Sequence, residues 1–291
     1  MVEYLPLNQF SESDILNTHN EAFSDYEVPM QLSLEVFKYL NHRRGVRHDL
    51  SIGAVEGKRL IGFILNAVDF WNGRLTAYDC GTGVIPEFRQ KGIANQIFSE
   101  LLPHLRAEKV EQYLLEVIQT NTAAVKLYKK RKFQITREFD CLVVEKKKLA
   151  EIFQNDQKMV LSNIYDIQYI ETIDWKIAKR FWNFSPSWQN SDSSIQRVND
   201  SFHYLGAFYQ KELVGYIVLE QHGGVTQIAV HPKHRNRYIG ANLLKTVIEK
   251  FPNVEKFNII NVDTQNTKLL NFLQKFGFQT FTTQYEMILE L

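Results

Sequence analysis

Two stretches of the chain, GVIPEFRQKGIA from Gly83 to Ala94 and VHPKHRNRYIG from Val230 to Gly240, follow one pattern. Each runs from an apolar strand end through a proline and an arginine into a helix start. The prolines Pro86 and Pro232 and the arginines Arg89 and Arg235 share one offset, 232 − 86 = 235 − 89 = 146. A period that long exceeds any solenoid unit and has the size of a domain, so each copy is expected to bury its own core. The 291 residues hold two such domains, expected at 1–150 and 151–291. The boundary is expected near residues 150–162, after Glu145-Lys146-Lys147-Lys148 and within Gln154-Asn155-Asp156-Gln157-Lys158, both read as solvated surface.

A net charge of +1 gives no polyanion-binding signature, since nucleic-acid binders usually concentrate strong positive charge on a face, so no nucleic-acid partner is expected. No run approaches the ~20 apolar residues of a membrane span, and the start, MVEYLPLNQF, lacks a basic segment followed by an apolar one. A cytoplasmic protein without membrane partners is the expectation. Cys80 and Cys141 fall in apolar strand-like runs and read as buried thiols rather than a disulfide framework.

Within each copy, periodicity gives the same order of elements. LIGFILNA, Leu60 to Ala67, and LVGYIVL, Leu213 to Leu219, read as buried strands that lead through a turn into a second strand and the shared motif. A helix follows, with Ile93, Ile97, Leu101 and Leu105 on one stripe in the first copy and Ile239, Leu243, Leu244 and Val247 in the second. Pro103 is expected to kink or end the first of these. Next come apolar strands, Tyr113 to Ile118 and Phe257 to Val262, and helices opened by Asn121 and Asn266. The Ser- and Asn-rich residues 183–199 read as a long loop bordering a cleft.

A strand delivering the chain into a Gly-containing loop and a helix N-terminus offers several backbone N–H groups to phosphate. Arg89-Gln90-Lys91-Gly92-Ile93-Ala94 resembles the acetyl-CoA pyrophosphate loop of the GNAT acyltransferase superfamily, and LEVIQTNTAAVKLYKKRKF, Leu115 to Phe133, resembles its second signature. The likeness covers about residues 50–140 and, more weakly, 205–288. It implies an α/β fold of two tandem GNAT domains, each a mixed, mostly antiparallel sheet flanked by helices. It also implies an N-acetyltransferase that moves acetyl from acetyl-CoA to a primary amine by direct attack, with no metal. Cofactor contacts are implied for Thr82, Gly83, Val84, Arg89, Gln90, Lys91, Gly92, Ile93, Ala94, Asn95 and Asn121. Lys132 departs from the family's Gly before Phe, which the second copy keeps as Gly277-Phe278.

Three chemical needs follow: a base for the amine, stabilisation of the oxyanion and an acid for the departing thiolate. Tyr128 stands at the family's acid position. Glu116, a charge inside an apolar strand, and Asp79, on the strand before the motif, compete as base; Glu116 is preferred because desolvation should raise its pKa above that of a solvated Asp79, and ordered water is the remaining alternative. Oxyanion stabilisation is expected from the backbone around Thr82-Gly83-Val84, where Gly81 and Gly83 permit close approach. The pair His231 and His234 reads as surface histidines, not as a metal pair.

The second copy replaces Gly92 by Tyr238, Tyr128 by Leu273 and Glu116 by Asn261. It is expected to be degenerate, shaping a cleft, supporting the first domain or mediating a homodimer. An alternative from another class is a non-catalytic acyl-CoA-binding or protein-interaction scaffold. The acceptor is set by the segments Phe23-Ser24-Asp25-Tyr26 and Trp182 to Trp188, which no motif decodes.

Overall fold

The apolar run at Leu60 lies inside the longest strand of a computed structural model that describes residues 1–25, 30–155 and 162–291. Tyr26, Asp156, Gln157 and Lys158 lie outside the described residues. The chain forms two compact units, unit 1 from Met1–Thr136 with Glu286–Leu291 and unit 2 from Arg137–Tyr285. Compactness thus divides the chain at two places instead of once near residue 150, because strands cross that division.

Unit 1 contains β1 (Val2–Pro6), α1 (Glu12–Ala22), α2 (Leu34–Arg44), β2 (Ile52–Glu56), β3 (Arg59–Trp71), β4 (Arg74–Val84), α3 (Ile93–Ala107), β5 (Gln112–Ile118) and α4 (Thr122–Lys130). Strand β6 (Gln134–Glu145) starts there and continues in unit 2. Unit 2 adds α5 (Lys146–Asn155), β7 (Tyr165–Ile170), α6 (Trp175–Ala178), α7 (Asp192–Arg197), β8 (Phe202–Tyr209), β9 (Glu212–Glu220) and β10 (Val225–Val230). It goes on with α8 (Ile239–Lys250), β11 (Lys256–Asp263), α9 (Thr267–Lys275) and β12 (Gln279–Glu290), whose end from Glu286 belongs to unit 1.

In unit 1, β1 to β4 are antiparallel neighbours and β5 joins β4 in parallel. The end of β12 stands beside β5, where Leu291 N donates to Glu111 O and Arg74 grips Glu290 with both Nη atoms. In unit 2, β7 to β10 are antiparallel, and β11 pairs antiparallel with β6. The expected mostly antiparallel sheets with flanking helices are present in both, the parallel element being the β4–β5 ladder in unit 1 and an isolated bridge, Gly224 to Asn258, in unit 2.

The first core is carried by side chains such as Phe63, Ile97, Phe98 and Tyr113, all fully buried, with the α3 stripe lying on the sheet as its 3.6-residue spacing requires. Pro103 does not end α3, which continues to Ala107. Glu145, Lys147 and Lys148 are exposed, but the run is no linker: it opens α5, which Leu149 anchors in the core of unit 2. Residues 183–199 are not all loop either, since the Ser191 side chain accepts from Ser194 N and nucleates α7. Cys141 is buried, whereas Cys80 is only half-buried, at a bulge of β4.

Candidate active site

A β-bulge and a strand splay create the site in unit 1. Strand β4 pairs with β3 in a register that shifts between Leu65 opposite Gly81 and Asn66 opposite Asp79, so Cys80 is the extra residue. The Cys80 carbonyl is taken up by Arg44 Nη1 at 3.1 Å, from the last turn of α2. On its other side, β4 pairs with β5 only as far as Asp79 opposite Leu115. Beyond that pair the ladder stops. Residues 80–84, which include Thr82, Gly83 and Val84, and residues 116–118 therefore lie outside any β4–β5 pairing.

Asp79 sits at the end of this ladder and is buried, 7% exposed. Its Oδ1 accepts from Gly81 N at 2.9 Å, and its Oδ2 accepts from Thr82 Oγ1 at 2.7 Å and from the Tyr128 hydroxyl at 3.4 Å. Burial lifts its pKa from 3.8 to about 6, against the pull of these hydrogen bonds and of the Arg44 charge. The order of burial expected from the sequence is reversed: Asp79 is the enclosed carboxylate, and Glu116 is half-buried. The bulge explains the reversal, because one extra residue breaks the in–out alternation on which a sequence reading relies.

Tyr128 is held by its ring, not only by its hydroxyl. It packs edge-on against Phe98 and Phe133, centroids 6.0 and 5.6 Å away, while α4 is started by the Asn121 side chain accepting from Ala124 N. The helix ends with Lys132 in the left-handed region, φ +69°, and Phe133 N donating to Tyr128 O at 3.0 Å. The second copy ends α9 identically, with Gly277 at φ +80° and Phe278 N on Leu273 O. Lys132 thus adopts the glycine's conformation at a cost of roughly 1 kcal/mol.

Glu116 is the first residue of β5 past the paired stretch, and its Oε2 accepts from the Tyr78 hydroxyl at 3.0 Å. Tyr78 is itself buried, which together with the Glu116 charge pushes its phenol well above the usual value and keeps it a donor. Both carboxylates and Tyr128 are brought to one end of the β4–β5 pair. Tyr78 and Arg44, absent from the sequence-based set, complete the arrangement. The signal for Tyr78 was its place beside Asp79 on a strand about to part from its neighbour.

The loop after β4 keeps Gln90 and Gly92 in the left-handed region, φ +62° and +80°, and Gly92 caps α3 without any side-chain hydrogen bond. The first N–H groups of α3 therefore have no side-chain cap, with Gln90, Lys91, Ile93, Ala94 and Asn95 around them. A Cβ built on Gly92 would meet no protein atom within 4 Å, so its space opens outward. Gly83 has a different reason: a Cβ there would lie 3.0 Å from both Ala22 and the Phe63 ring. Its lack of a side chain serves packing.

Arg89 is placed differently from a phosphate ligand. Its Nε donates to Val84 O, its Nη2 to Ala22 O at 2.8 Å, and both Nη atoms bind Asp25 at 2.6 and 2.7 Å. Arg235 makes the same clamp in unit 2, from Nε to Val230 O, from Nη2 to Phe181 O and from Nη1 to Asn183. Both arginines pin the loop to the strand before it.

Unit 2 repeats the frame with other residues at the corresponding positions. Its loop holds Asn236 and Tyr238 at φ +59° and +62°, and its bulge falls at Thr226, between Val225 and Gln227. Asn261 and Leu273 stand in place of Glu116 and Tyr128, and the offset adds a third replacement at the site, Val225 for Asp79 (225 − 146 = 79). His231 and His234 are half-buried, packed edge-on against Phe181 and Tyr165 respectively. Among the described residues no three His, Cys, Asp or Glu side chains group as metal ligands, and no helix is long and apolar enough to cross a membrane.

This duplicated strand–bulge–helix frame is that of an acyltransferase fold. A model of the acetyltransferase (GNAT) family matches residues 13–133 and again 165–278, and the chain belongs to that family as a tandem GNAT protein. Among solved structures, a tandem GNAT protein from the clavulanic acid biosynthesis pathway is similar over 100% of this chain and 98% of its own, with TM-score 0.73 and 14% identity. A putative acetyltransferase from Pyrococcus horikoshii matches over 100% and 89%, TM-score 0.66 and 16% identity. A GCN5-related N-acetyltransferase from Sphaerobacter thermophilus matches over 99% and 95%, TM-score 0.68 and 13% identity. At these identities the likeness is one of fold. No curated protein matches the sequence.

Proposed function

We propose that unit 1 is an N-acetyltransferase that takes acetyl-CoA and a primary amine, and that unit 2 does no chemistry. The observation that carries this reading is the placement of Glu116, bonded to Tyr78, and of Asp79, bonded to Tyr128, at the end of the β4–β5 ladder, where unit 2 has Asn261, Val225 and Leu273. Family membership supports acyl transfer, and the acyl donor proposed is acetyl-CoA. The uncapped start of α3 and the backbone of residues 89–95 would hold the diphosphate, while the unpaired edge of residues 82–84 would receive the arm and thioester.

Glu116 accepts the proton of the attacking amine. It is the only one of the two carboxylates with a partly open surface, and Tyr78 fixes one of its oxygens. Tyr128 gives its phenolic proton to the departing sulfur; a phenol with a reference pKa of about 10 is protonated at neutral pH. Asp79 is the positioning residue: ionised, it fixes the bulge through Gly81 and Thr82 and receives the Tyr128 hydroxyl until a better acceptor arrives. The acceptor is a small molecule, peptide or protein bearing an amine.

Calorimetric titration of acetyl-CoA tests the placement. Gly92→Tyr puts a side chain into the outward space above the start of α3, and a loss of affinity of about tenfold or more is expected at the unit 1 site. Unchanged affinity in that variant would remove the loop from the binding site.

A further inference from the structure

The bond from the Tyr128 hydroxyl to Asp79 is long, 3.4 Å, so the position of that hydroxyl depends on how α4 itself is held. Arg131 ends the helix, its N–H closing the last turn on Leu127 O at 3.0 Å. Its side chain crosses to α3. There Nη2 donates to the backbone carbonyl of Asn95 and, at 2.9 Å, to Ser99 Oγ, which itself donates to Asn95 O at 3.2 Å. The guanidinium carbon lies 5.9 Å from the centre of the Phe98 ring, and the fully buried Phe98 is a ring against which Tyr128 packs. One side chain thus ties the helix of the proposed acid to the first two turns of α3.

Stability alone does not call for an arginine here. Its Nε is buried without a hydrogen-bond partner among the described residues, and no carboxylate among them pairs with the guanidinium. Burial lowers its pKa, and it stands beside the N-terminal turns of α3, where the helix dipole disfavours a cation. In unit 2 an apolar ring takes this place. Along α4 and α9 the copies are offset by 145 (273 − 128 = 278 − 133 = 145), which puts Phe276 at the position of Arg131 (276 − 131 = 145). Phe276 is buried and lies 4.9 Å from the Phe272 ring.

A half-buried cation without a counter-charge is costlier than an apolar side chain of similar size, so the guanidinium marks a demand other than packing. What it adds is direction. Apolar rings tolerate sliding, whereas hydrogen bonds to Asn95 O and Ser99 Oγ fix both the distance and the rotation of α4 against α3.

We propose that Arg131 is a positioning residue for the transfer reaction, bracing α4 against α3 so that the Tyr128 hydroxyl is held toward the departing sulfur. The inference rests on the acid role proposed for Tyr128. Asn95 belongs to residues 89–95, the stretch proposed to hold the diphosphate, so the brace sets the acid relative to the donor and leaves the binding of the amine alone.

Arg131→Met in the full chain keeps an unbranched stem beside Phe98 and removes every side-chain donor. It is expected to lower kcat about tenfold, within the roughly 10²-fold that a displacement of about 1 Å can cost, while the KM for the amine and the affinity for acetyl-CoA stay within about twofold of wild type. Arg131→Lys, whose ammonium reaches for the same oxygens, should restore kcat to within about threefold. A double-mutant cycle separates the brace from general packing: in the Tyr128→Phe background Arg131→Met should cost nothing further. Amide exchange over residues 125–133 reads the brace without any amine and should be faster in Arg131→Met than in wild type. Should the methionine variant not fold, Ser99→Ala removes one acceptor and is expected to lower kcat about threefold, again with no further loss in the Tyr128→Phe background. A further tenfold loss in that background, unchanged kcat or unchanged exchange in a folded Arg131→Met, or a loss confined to acetyl-CoA affinity would each overturn the proposal. Turnover preserved in Tyr128→Phe alone would overturn the acid role, and the brace would fall with it.

Discussion

Tyr128→Phe is expected to lower kcat about 10²-fold while leaving acetyl-CoA affinity within about twofold. A positioned general acid contributes roughly 10²–10⁴-fold, and the lower end applies here because bulk water can still protonate a thiolate. The ring stays, and with it the packing on Phe98 and Phe133. The hydroxyl's bond to Asp79 is long at 3.4 Å, so stability changes little. Single-turnover and steady-state rates, normalised to folded protein, check it. Turnover preserved in the phenylalanine variant would make Tyr128 a packing residue.

The two carboxylates should separate in their pH profiles. Glu116→Gln removes the proton acceptor and is expected to reduce kcat about 10²-fold or more. Asp79→Asn is expected to reduce the rate less, and to abolish an acidic limb near pH 6 that the Glu116→Gln enzyme retains. Below about pH 6 the Asp79 carboxyl takes up a proton and no longer accepts from Gly81, Thr82 and Tyr128 together. One amine must be used throughout, since the substrate's own ionisation adds a limb at higher pH. A limb at pH 6 that survives Asp79→Asn would mean that the ionisation of Asp79 does not set it, and would remove Asp79 from its positioning role.

The same group affects stability, with a definite sign. Its folded pKa of about 6 lies above its ordinary 3.8, so the folded state holds this proton more tightly. Stability from this source is fully present below about pH 3.8 and is lost as pH rises through 6, a change of about 3 kcal/mol. Urea unfolding of wild type and Asp79→Asn at pH 4 and pH 7 would show it as a difference confined to the wild type.

The repeat and both signatures were legible because they are local: a turn, a cap and a helix stripe leave fixed residue types at fixed spacings. Asn121 and Asn266 illustrate this, each accepting from the N–H three residues on as its position predicts. The burial of Asp79 was not legible, since the Cys80 bulge that inverts the alternation has no residue signature of its own. The clamp made by Arg89 was legible in principle. The same arginine survives as Arg235 in a copy where Glu, Tyr and Gly are gone, which marks a structural need independent of catalysis. The course of β6 and β12 between the units depends on pairing between distant segments, which a linear pattern does not encode.

Release of free CoA thiol from acetyl-CoA, followed across a panel of primary amines, tests the assignment of acetyl transfer to unit 1 most directly. Wild type should release CoA in proportion to a particular amine and yield its acetamide, and Glu116→Gln should lose that dependence although unit 2 is untouched. Amine-dependent release that persists in Glu116→Gln and Tyr128→Phe together would contradict the account, as would a complete absence of amine-dependent release by the folded wild type.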